Sequence, residues 1–194
     1  MLADALAGRA TAEAIESALL SEADGLEPKA IVELAATLER YLSSLGVGLA
    51  ALSAMVKDPQ FGRGVGFAAG SALLYVVDED DFLPESEVGP LGLLDDTYLV
   101  HGCIAALRAA FPELPAPEEY EPPDETSVAA VRSLLPAGVA DALDRTCENL
   151  ARAAAFFTVG GGAGGTGGDP VVRPPLRVGA ALEALGEPRR VSPR

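Results

Sequence analysis

The chain is 194 residues long, and its 49% hydrophobic and 22% charged residues are typical of an ordinary globular protein. Acidic residues number 29 against 14 Lys and Arg, and the net charge of −15 argues against binding to nucleic acid, whose phosphates need cations. His101 is the single histidine, which excludes paired-histidine catalysis and multi-histidine metal sites.

Helical spacing dominates the first part of the chain. A short helix is predicted over residues 12–19, and a longer amphipathic helix begins at Pro28 and stops at Gly46. A third helix over residues 49–56 is broken before Pro59. Each segment has apolar residues three and four positions apart, so each has one face to bury.

Residues 65–77 are apolar on all sides. The segment is shorter than the roughly 20 residues needed to cross a bilayer, so we predict a buried core helix. The alternative is half of a re-entrant membrane hairpin, paired with residues 42–56.

The next helix is predicted over residues 91–111, and a proline- and acid-rich loop follows over residues 112–124. Thr126 or Ser127 is the expected cap of a short helix after this loop. The sequence contains no useful strand alternation before residue 158.

The last strong helix begins at Pro136 and has an apolar stripe that includes Phe157. Two i,i+4 ion pairs are expected on its other face, Asp141 with Arg145 and Glu148 with Arg152. The predicted fold is an all-α bundle of about six helices, which forms one helical domain over residues 1–158.

Residues 159–194 have the composition of a disordered linker and tail. Glycine dominates residues 160–168, and Pro and Arg are frequent afterwards. The GxGxxG-like spacing has no preceding strand and no following helix, so it is not a nucleotide-binding loop. Since the tail is net positive and the body acidic, the tail is expected to stay solvated, to lie on its own body or to reach a partner.

The N-terminus and the cysteines indicate a reducing bacterial cytoplasm. Asp4 stands where a secretory signal would carry positive charge, so we expect no export signal. Cys103 and Cys147 lie far apart with no CxxC spacing, and two buried free thiols are expected. The excess of Arg over Lys and the abundance of Ala and Gly are typical of a bacterial source.

Residues 78–125 are strongly acidic, and Arg108 is the one cation among them. Such a density of negative charge requires solvent, bound cations or a basic partner. The acids of residues 113–125 are expected to form a solvated loop, whereas those nearer residue 95 adjoin apolar sequence.

Asp95 and Asp96 are predicted to point toward the core. On an ideal helix they flank the direction opposite to Thr97, His101 and Arg108, which define the outward face. His101 is therefore expected at the surface, away from the two carboxylates. This arrangement argues against Ser-, Cys- or Asp–His catalysis.

Inward carboxylates need a compensating partner. They can cap free backbone N–H groups at the start of the helix, or act as an acid–base pair. They can also bind Mg²⁺ or Ca²⁺, which prefer oxygen ligands. The candidate ligands of such a site are Asp81, Glu85, Asp95 and Asp96, and the less favoured site residues are Asp78, Asp80 and His101.

Four motifs follow one another within residues 48–108. They are Asp58-Pro59, the apolar Leu73-Leu74-Tyr75-Val76-Val77, Asp81-Phe82-Leu83-Pro84-Glu85 and Leu91-Gly92-Leu93-Leu94-Asp95-Asp96. In this order they resemble the YkvA-like family, a bacterial domain of unknown function. Asp78-Glu79 stands where the family has Ser-Pro, and Glu85 replaces a second Asp. The resemblance implies a small helical domain, often membrane-associated, with no agreed activity, and its signature positions here are Asp81, Pro84, Asp95 and Asp96.

Pro84 and Gly92 help to make the connection between these motifs a tight turn, which would bring Asp81 close to Asp95 and Asp96. The expected function is a non-enzymatic accessory or adaptor module that binds a protein partner through its acidic face or its tail. A divalent-metal site in the acidic cluster and peripheral membrane association through residues 42–77 stay open as alternatives.

Overall fold

The computed structural model describes residues 10–22, 28–77, 82–83, 89–115, 117 and 119–159. These residues form an all-α bundle, as predicted. The helices are α1 (Ala12–Glu22), α2 (Pro28–Ser43), α3 (Leu45–Lys57), α4 (Gly62–Val76), α5 (Leu93–Ala110), α6 (Glu125–Leu134) and α7 (Ala137–Val159), with 3₁₀ turns at Pro59–Phe61 and Gly89–Gly92. The predicted linker and tail lie outside the described residues.

Helix α5 lies at the centre of the bundle. Every residue from Leu93 to His101 is buried, because α2, α3, α4, α6 and α7 all pack against this helix. A helix covered on all sides needs no polar face. The predicted outward face is therefore wrong for Thr97, whose hydroxyl donates to the Leu93 carbonyl at 2.7 Å, and for His101.

Two glycines allow neighbouring helices to approach α5 closely. A Cβ atom at Gly48 of α3 would lie 2.5 Å from Cγ1 of Val100 and 3.3 Å from Cε1 of His101. On the side of α5 that faces α7, a Cβ atom at Gly102 would lie 2.9 Å from Sγ of Cys147. A side chain at either position would collide with its neighbour, so the close packing of these helices depends on glycine at both positions.

Two helix boundaries differ from the predicted ones. The break between α2 and α3 falls at Ser44, whose N–H and hydroxyl both donate to the Tyr41 carbonyl, while Gly46 lies inside α3. The cap of α6 is Asp124, whose carboxylate accepts from the N–H of Ser127 at 2.9 Å. A carboxylate next to the positive end of a helix is a strong cap, and it displaces Ser127 from this role.

Helix α4 is buried on one side only, which corrects the prediction of a fully buried helix. Its small residues, such as Ala68 and Ala72, pack into the core, whereas Phe67 and Leu74 are 37% and 59% exposed. Its neighbours α3, α5 and α7 leave the remaining face uncovered by described residues. No helix in the described ranges combines the length and apolarity that crossing a membrane requires.

A polar network joins α5, α6 and α7. The Tyr98 hydroxyl donates to Oδ1 of Asp144 at 2.8 Å and accepts from Nη1 of Arg132 at 2.9 Å. Arg132 also pairs with Asp144 and with Asp141, at 2.9 Å from Nη2 to Oδ1 of Asp141. Asp141 therefore pairs with Arg132 and not with the predicted Arg145.

The structure also tests the predicted Glu148–Arg152 ion pair, the predicted place of Phe157 and the predicted state of the two cysteines. The ion pair between Glu148 and Arg152 is confirmed, with Nη2 and Oε2 3.1 Å apart. Phe157 was expected on the buried stripe but is 52% exposed. Cys147 on α7 and Cys103 on α5 are free and buried, as predicted.

Replacing Tyr98 by Phe is expected to lower the free energy of unfolding by about 1 kcal/mol, because the substitution removes one partner from this network. In a domain of this size the melting temperature should fall by roughly 2–4 °C. Differential scanning calorimetry measures the change. Arg152→Met breaks only an exposed pair and should change stability by less than about 0.5 kcal/mol; an equal loss in both variants would contradict the role of the network.

Candidate functional site

The two carboxylates predicted to face the core are both buried. Asp95 is 0% and Asp96 2% exposed, and both lie in the first turn of α5. Gly92, one of the predicted turn residues, precedes them at the end of the 3₁₀ turn and is itself buried. The predicted burial of Asp95 and Asp96 is therefore confirmed, although Thr97 and His101, which were predicted on the opposite face, are buried as well.

Asp95 is held by the end of α4 and by the connection that follows it. Its Oδ2 accepts from the Tyr75 hydroxyl at 3.1 Å and from the N–H of Phe82 at 3.2 Å. Burial raises the pKa of Asp95 to about 6, although these hydrogen bonds oppose the shift. The chain next to residue 81 thus returns to the start of α5.

The other members of the predicted acidic cluster lie outside the described residues. They are Asp78, Asp80, Asp81 and Glu85, together with the turn residue Pro84. Among described residues, no group of three or more His, Cys, Asp or Glu is placed to hold a metal ion. The Mg²⁺ or Ca²⁺ site therefore stays a prediction.

His101 is buried, which corrects its predicted place at the surface. It is 5% exposed, because α5 is covered on this side by the junction of α2 with α3 and by the loop before α6. Its Nε2 lies 2.7 Å from Oγ of Ser44, and its Nδ1 lies 3.0 Å from the hydroxyl of Tyr120. The ring of Tyr41 packs beside it, with the centroids 5.7 Å apart.

The hydrogen-bond chain assigns the protonation of the His101 ring. The Ser44 hydroxyl has one proton, which it donates to the Tyr41 carbonyl at 2.6 Å. With this donation in place, we assign the imidazole proton to Nε2, which donates it to Ser44, while Nδ1 accepts from Tyr120. Burial lowers the pKa of His101 to about 4, so the ring is neutral at pH 7.

This arrangement gives Ser44 no general base. In a nucleophilic Ser–His pair the imidazole accepts the hydroxyl proton, whereas here the imidazole donates to the hydroxyl. Burial also raises the pKa of the Cys103 thiol to about 12, which keeps it protonated. The geometry instead makes His101 a positioning residue that fixes the Tyr120 side chain.

Tyr120 forms one wall of an open cleft of about 390 Å³ between the second half of α5 and the loop of residues 111–124. The other lining residues include Ile104, Arg108, Phe111, Leu114 and Pro122. Most of the lining residues are apolar, although polar atoms make up a large part of the exposed lining, and Arg108 is the cation among them. We call this site the α5 cleft.

The loop that carries Tyr120 has a constrained backbone. Glu119 has a φ of +62°, a left-handed conformation that costs a non-glycine residue about 1 kcal/mol or more. The N–H of Tyr120 donates to the Pro117 carbonyl at 3.3 Å, and burial raises the pKa of Tyr120 to about 12. Glu113, Glu119 and Glu121 flank the lining residues and are exposed, so the loop carries negative charge beside an apolar cleft.

No family model, curated protein or solved structure matches this chain.

The sequence had pointed to the acids near residue 95 and had missed Ser44 and Tyr120. Ser44 lies 57 residues from His101 along the chain, and no spacing rule connects them. The one available signal was the isolated Tyr120 in a run of Pro and Glu, since an aromatic side chain there is expected to be buried against the bundle.

Proposed function

We propose that the chain is a non-catalytic helical adaptor module, and that it binds a basic and apolar segment of a protein partner in the α5 cleft. The observation that carries the proposal is an open cleft lined mainly by apolar residues, with an exposed acidic loop beside it and with one wall, Tyr120, hydrogen-bonded to the buried His101. The proposal specifies the acidic face expected from the sequence.

Charge favours a basic segment. Glu113, Glu119 and Glu121 are exposed next to the lining residues, and the chain as a whole has a net charge of −15. Acidic fields of this kind raise the encounter rate with basic segments and exclude acidic ones. Arg108 at the cleft can pair with a single acidic or carbonyl group and so fix the direction of the bound segment.

The wall of the cleft is organised before binding. Tyr120 is restrained by the hydrogen bond to His101 and by the left-handed turn at Glu119. A group that is already ordered loses little conformational entropy on binding, so more of the contact energy appears as affinity. The aromatic and proline surfaces suit apolar side chains of the partner.

Selection of displayed random peptides on the full chain is expected to enrich sequences in which Lys or Arg alternates with apolar residues. The affinity of an enriched peptide, measured by calorimetric titration, should weaken as salt concentration rises. Ala105→Arg places bulk and positive charge in the cleft and should weaken binding about tenfold or more, which corresponds to about 1.4 kcal/mol.

Ala36→Arg is the matched control, because Ala36 is an exposed alanine on α2 that does not line the cleft. This variant should bind the peptide as the original chain does. Enrichment of acidic peptides, or equal binding by the Ala105 and Ala36 variants, would contradict the proposal.

The YkvA-like resemblance, a bacterial cytoplasmic location and the alternative of peripheral membrane association also stand as proposals. The hydrogen bond from Phe82 to Asp95 supports the prediction that the chain next to residue 81 lies close to the start of α5.

A further inference from the structure

The loop that forms one wall of the α5 cleft presents rings to a bound segment. Tyr120 is half-buried, and its hydroxyl lies 3.0 Å from Nδ1 of the buried His101, so the aromatic ring is the part of this side chain that a ligand can contact. The other loop residues of the lining are Phe111, Pro112, Leu114 and Pro122. Grooves lined by aromatic rings dock proline-rich segments in many proteins.

This wall offers no free backbone donor at its lining residues. The N–H groups of Phe111, Leu114 and Tyr120 all donate to carbonyls of the chain itself, at 2.9, 3.1 and 3.3 Å. The two lining prolines have no N–H. A segment that binds as an added strand needs backbone groups of its receptor, so the loop wall does not suit strand addition.

The α5 wall is too short for the anchors of a docked helix. Its lining residues run from Ile104 to Ala109, which corresponds to about 8 Å along the helix axis. A docked amphipathic helix spaces its outer anchors, at i and i+7, about 10 Å apart. Two or three residues of a polyproline II helix, at roughly 3 Å per residue, span the same wall.

We propose that the segment bound in the α5 cleft contains proline and binds as a polyproline II helix, with basic residues beside Glu113, Glu119 and Glu121. This inference rests on the proposed function, since it names the conformation and composition of the partner at the same site. A polyproline II helix needs no backbone pairing and is largely formed before binding, so it matches a wall of rings without donors.

The charged residues at the cleft fit such a segment. The three glutamates are exposed on the loop, and their field favours Lys or Arg next to the prolines. Arg108 is exposed on the α5 wall. The carbonyls of a polyproline II helix have no internal partner, so the Arg108 guanidinium can donate to them.

Calorimetric titration of the full chain with two matched peptides tests the proposal. The first is a short synthetic peptide with arginines at both ends and proline pairs three residues apart, and the second has leucine in place of every proline and the same charge. The proline peptide is expected to bind at least about tenfold more tightly. Ala105→Arg should weaken its binding about tenfold, whereas the Ala36→Arg control should leave it unchanged.

The outcomes separate this inference from the proposed function. Equal or tighter binding of the leucine peptide, weakened by Ala105→Arg, would overturn the polyproline conformation and leave a site for basic segments in place. If neither peptide binds, or if the Ala105 and Ala36 variants bind the peptides equally, the inference and the proposed function both fail. Tighter binding of a proline peptide whose arginines are replaced by glutamates would also contradict both.

Discussion

Acidification from pH 7 to about pH 4 is expected to change the stability of two single variants in opposite directions. Asp95→Asn should lose about 2.5 kcal/mol of unfolding free energy over this range relative to the original chain, whereas His101→Gln should gain about 3 kcal/mol. Both residues are buried on α5, and burial shifts their pKa values in opposite directions, because it disfavours the charged form of each.

The signs follow from proton binding in the two states. Burial lowers the pKa of His101 from 6.5 to about 4, so the unfolded chain takes up the proton first and stability falls as pH decreases through this window. Burial raises the pKa of Asp95 from 3.8 to about 6, so the folded chain takes up the proton first and stability rises as pH decreases. In the original chain the two contributions nearly cancel.

Urea unfolding at several pH values measures both effects. Each variant is compared with the original chain at the same pH, which removes the contribution of the many surface acids. Glu148→Gln, an exposed acid on α7, is the control and should follow the original chain. If the free energy of unfolding of both variants changes with pH as that of the original chain does, the result would contradict the neutral, buried state assigned to His101 and the raised pKa of Asp95.

The second large effect is expected at Gly48. Gly48→Ala should lower the free energy of unfolding by about 3 kcal/mol, because the new Cβ atom would lie 2.5 Å from Cγ1 of Val100. Val100 is fully buried, and a β-branched side chain has little rotamer freedom with which to move away. The melting temperature should fall by roughly 6–12 °C, as measured by calorimetry.

Gly138→Ala is the matched control for this substitution. Gly138 is also in a helix, but a Cβ atom there meets nothing within 4 Å. Alanine is the better helix former, so this variant should be unchanged or stabilised by about 0.5–1 kcal/mol. A stable Gly48→Ala variant would show that α3 can move away from α5 at little cost.

Local sequence signals predicted most of the helices. Pro28 and Pro59 delimit helices near their predicted positions, since proline suits the first turn and breaks the interior. The boundaries at Ser44 and Asp124 were missed because several residues nearby compete for the same capping bonds. The periodicity therefore determines which segments are helical more reliably than where they end.

Burial was harder to predict than helix formation. Polar residues on a helix indicate its exposed face only if one side of the helix meets solvent. At His101, α5 is covered by neighbours on all sides. For α4 the opposite error occurred, because an apolar sequence does not reveal that Phe67 and Leu74 have no covering neighbour among the described residues. Both errors come from tertiary contacts that one segment does not encode.

The candidate site was predicted in part. Asp95 and Asp96 are buried, as predicted, but the helix geometry behind that prediction also placed the buried Thr97 and His101 outward. The hydrogen bonds from Ser44 through His101 to Tyr120 join three segments that are distant in sequence, so no sequence motif predicts them. The α5 cleft depends on these hydrogen bonds for one wall, which is why the sequence did not indicate the cleft.

The central claim is that a basic segment binds beside Tyr120, and the ring nitrogens of His101 test it most directly. His101 is the only histidine in the sequence, so all imidazole signals in a ¹⁵N spectrum come from this ring. At pH 7 the account predicts a neutral ring protonated at Nε2, whose Nδ1 resonance shifts when the selected basic peptide saturates the chain. A ring protonated at Nδ1, or an Nδ1 resonance that stays unchanged at saturation, would contradict the account.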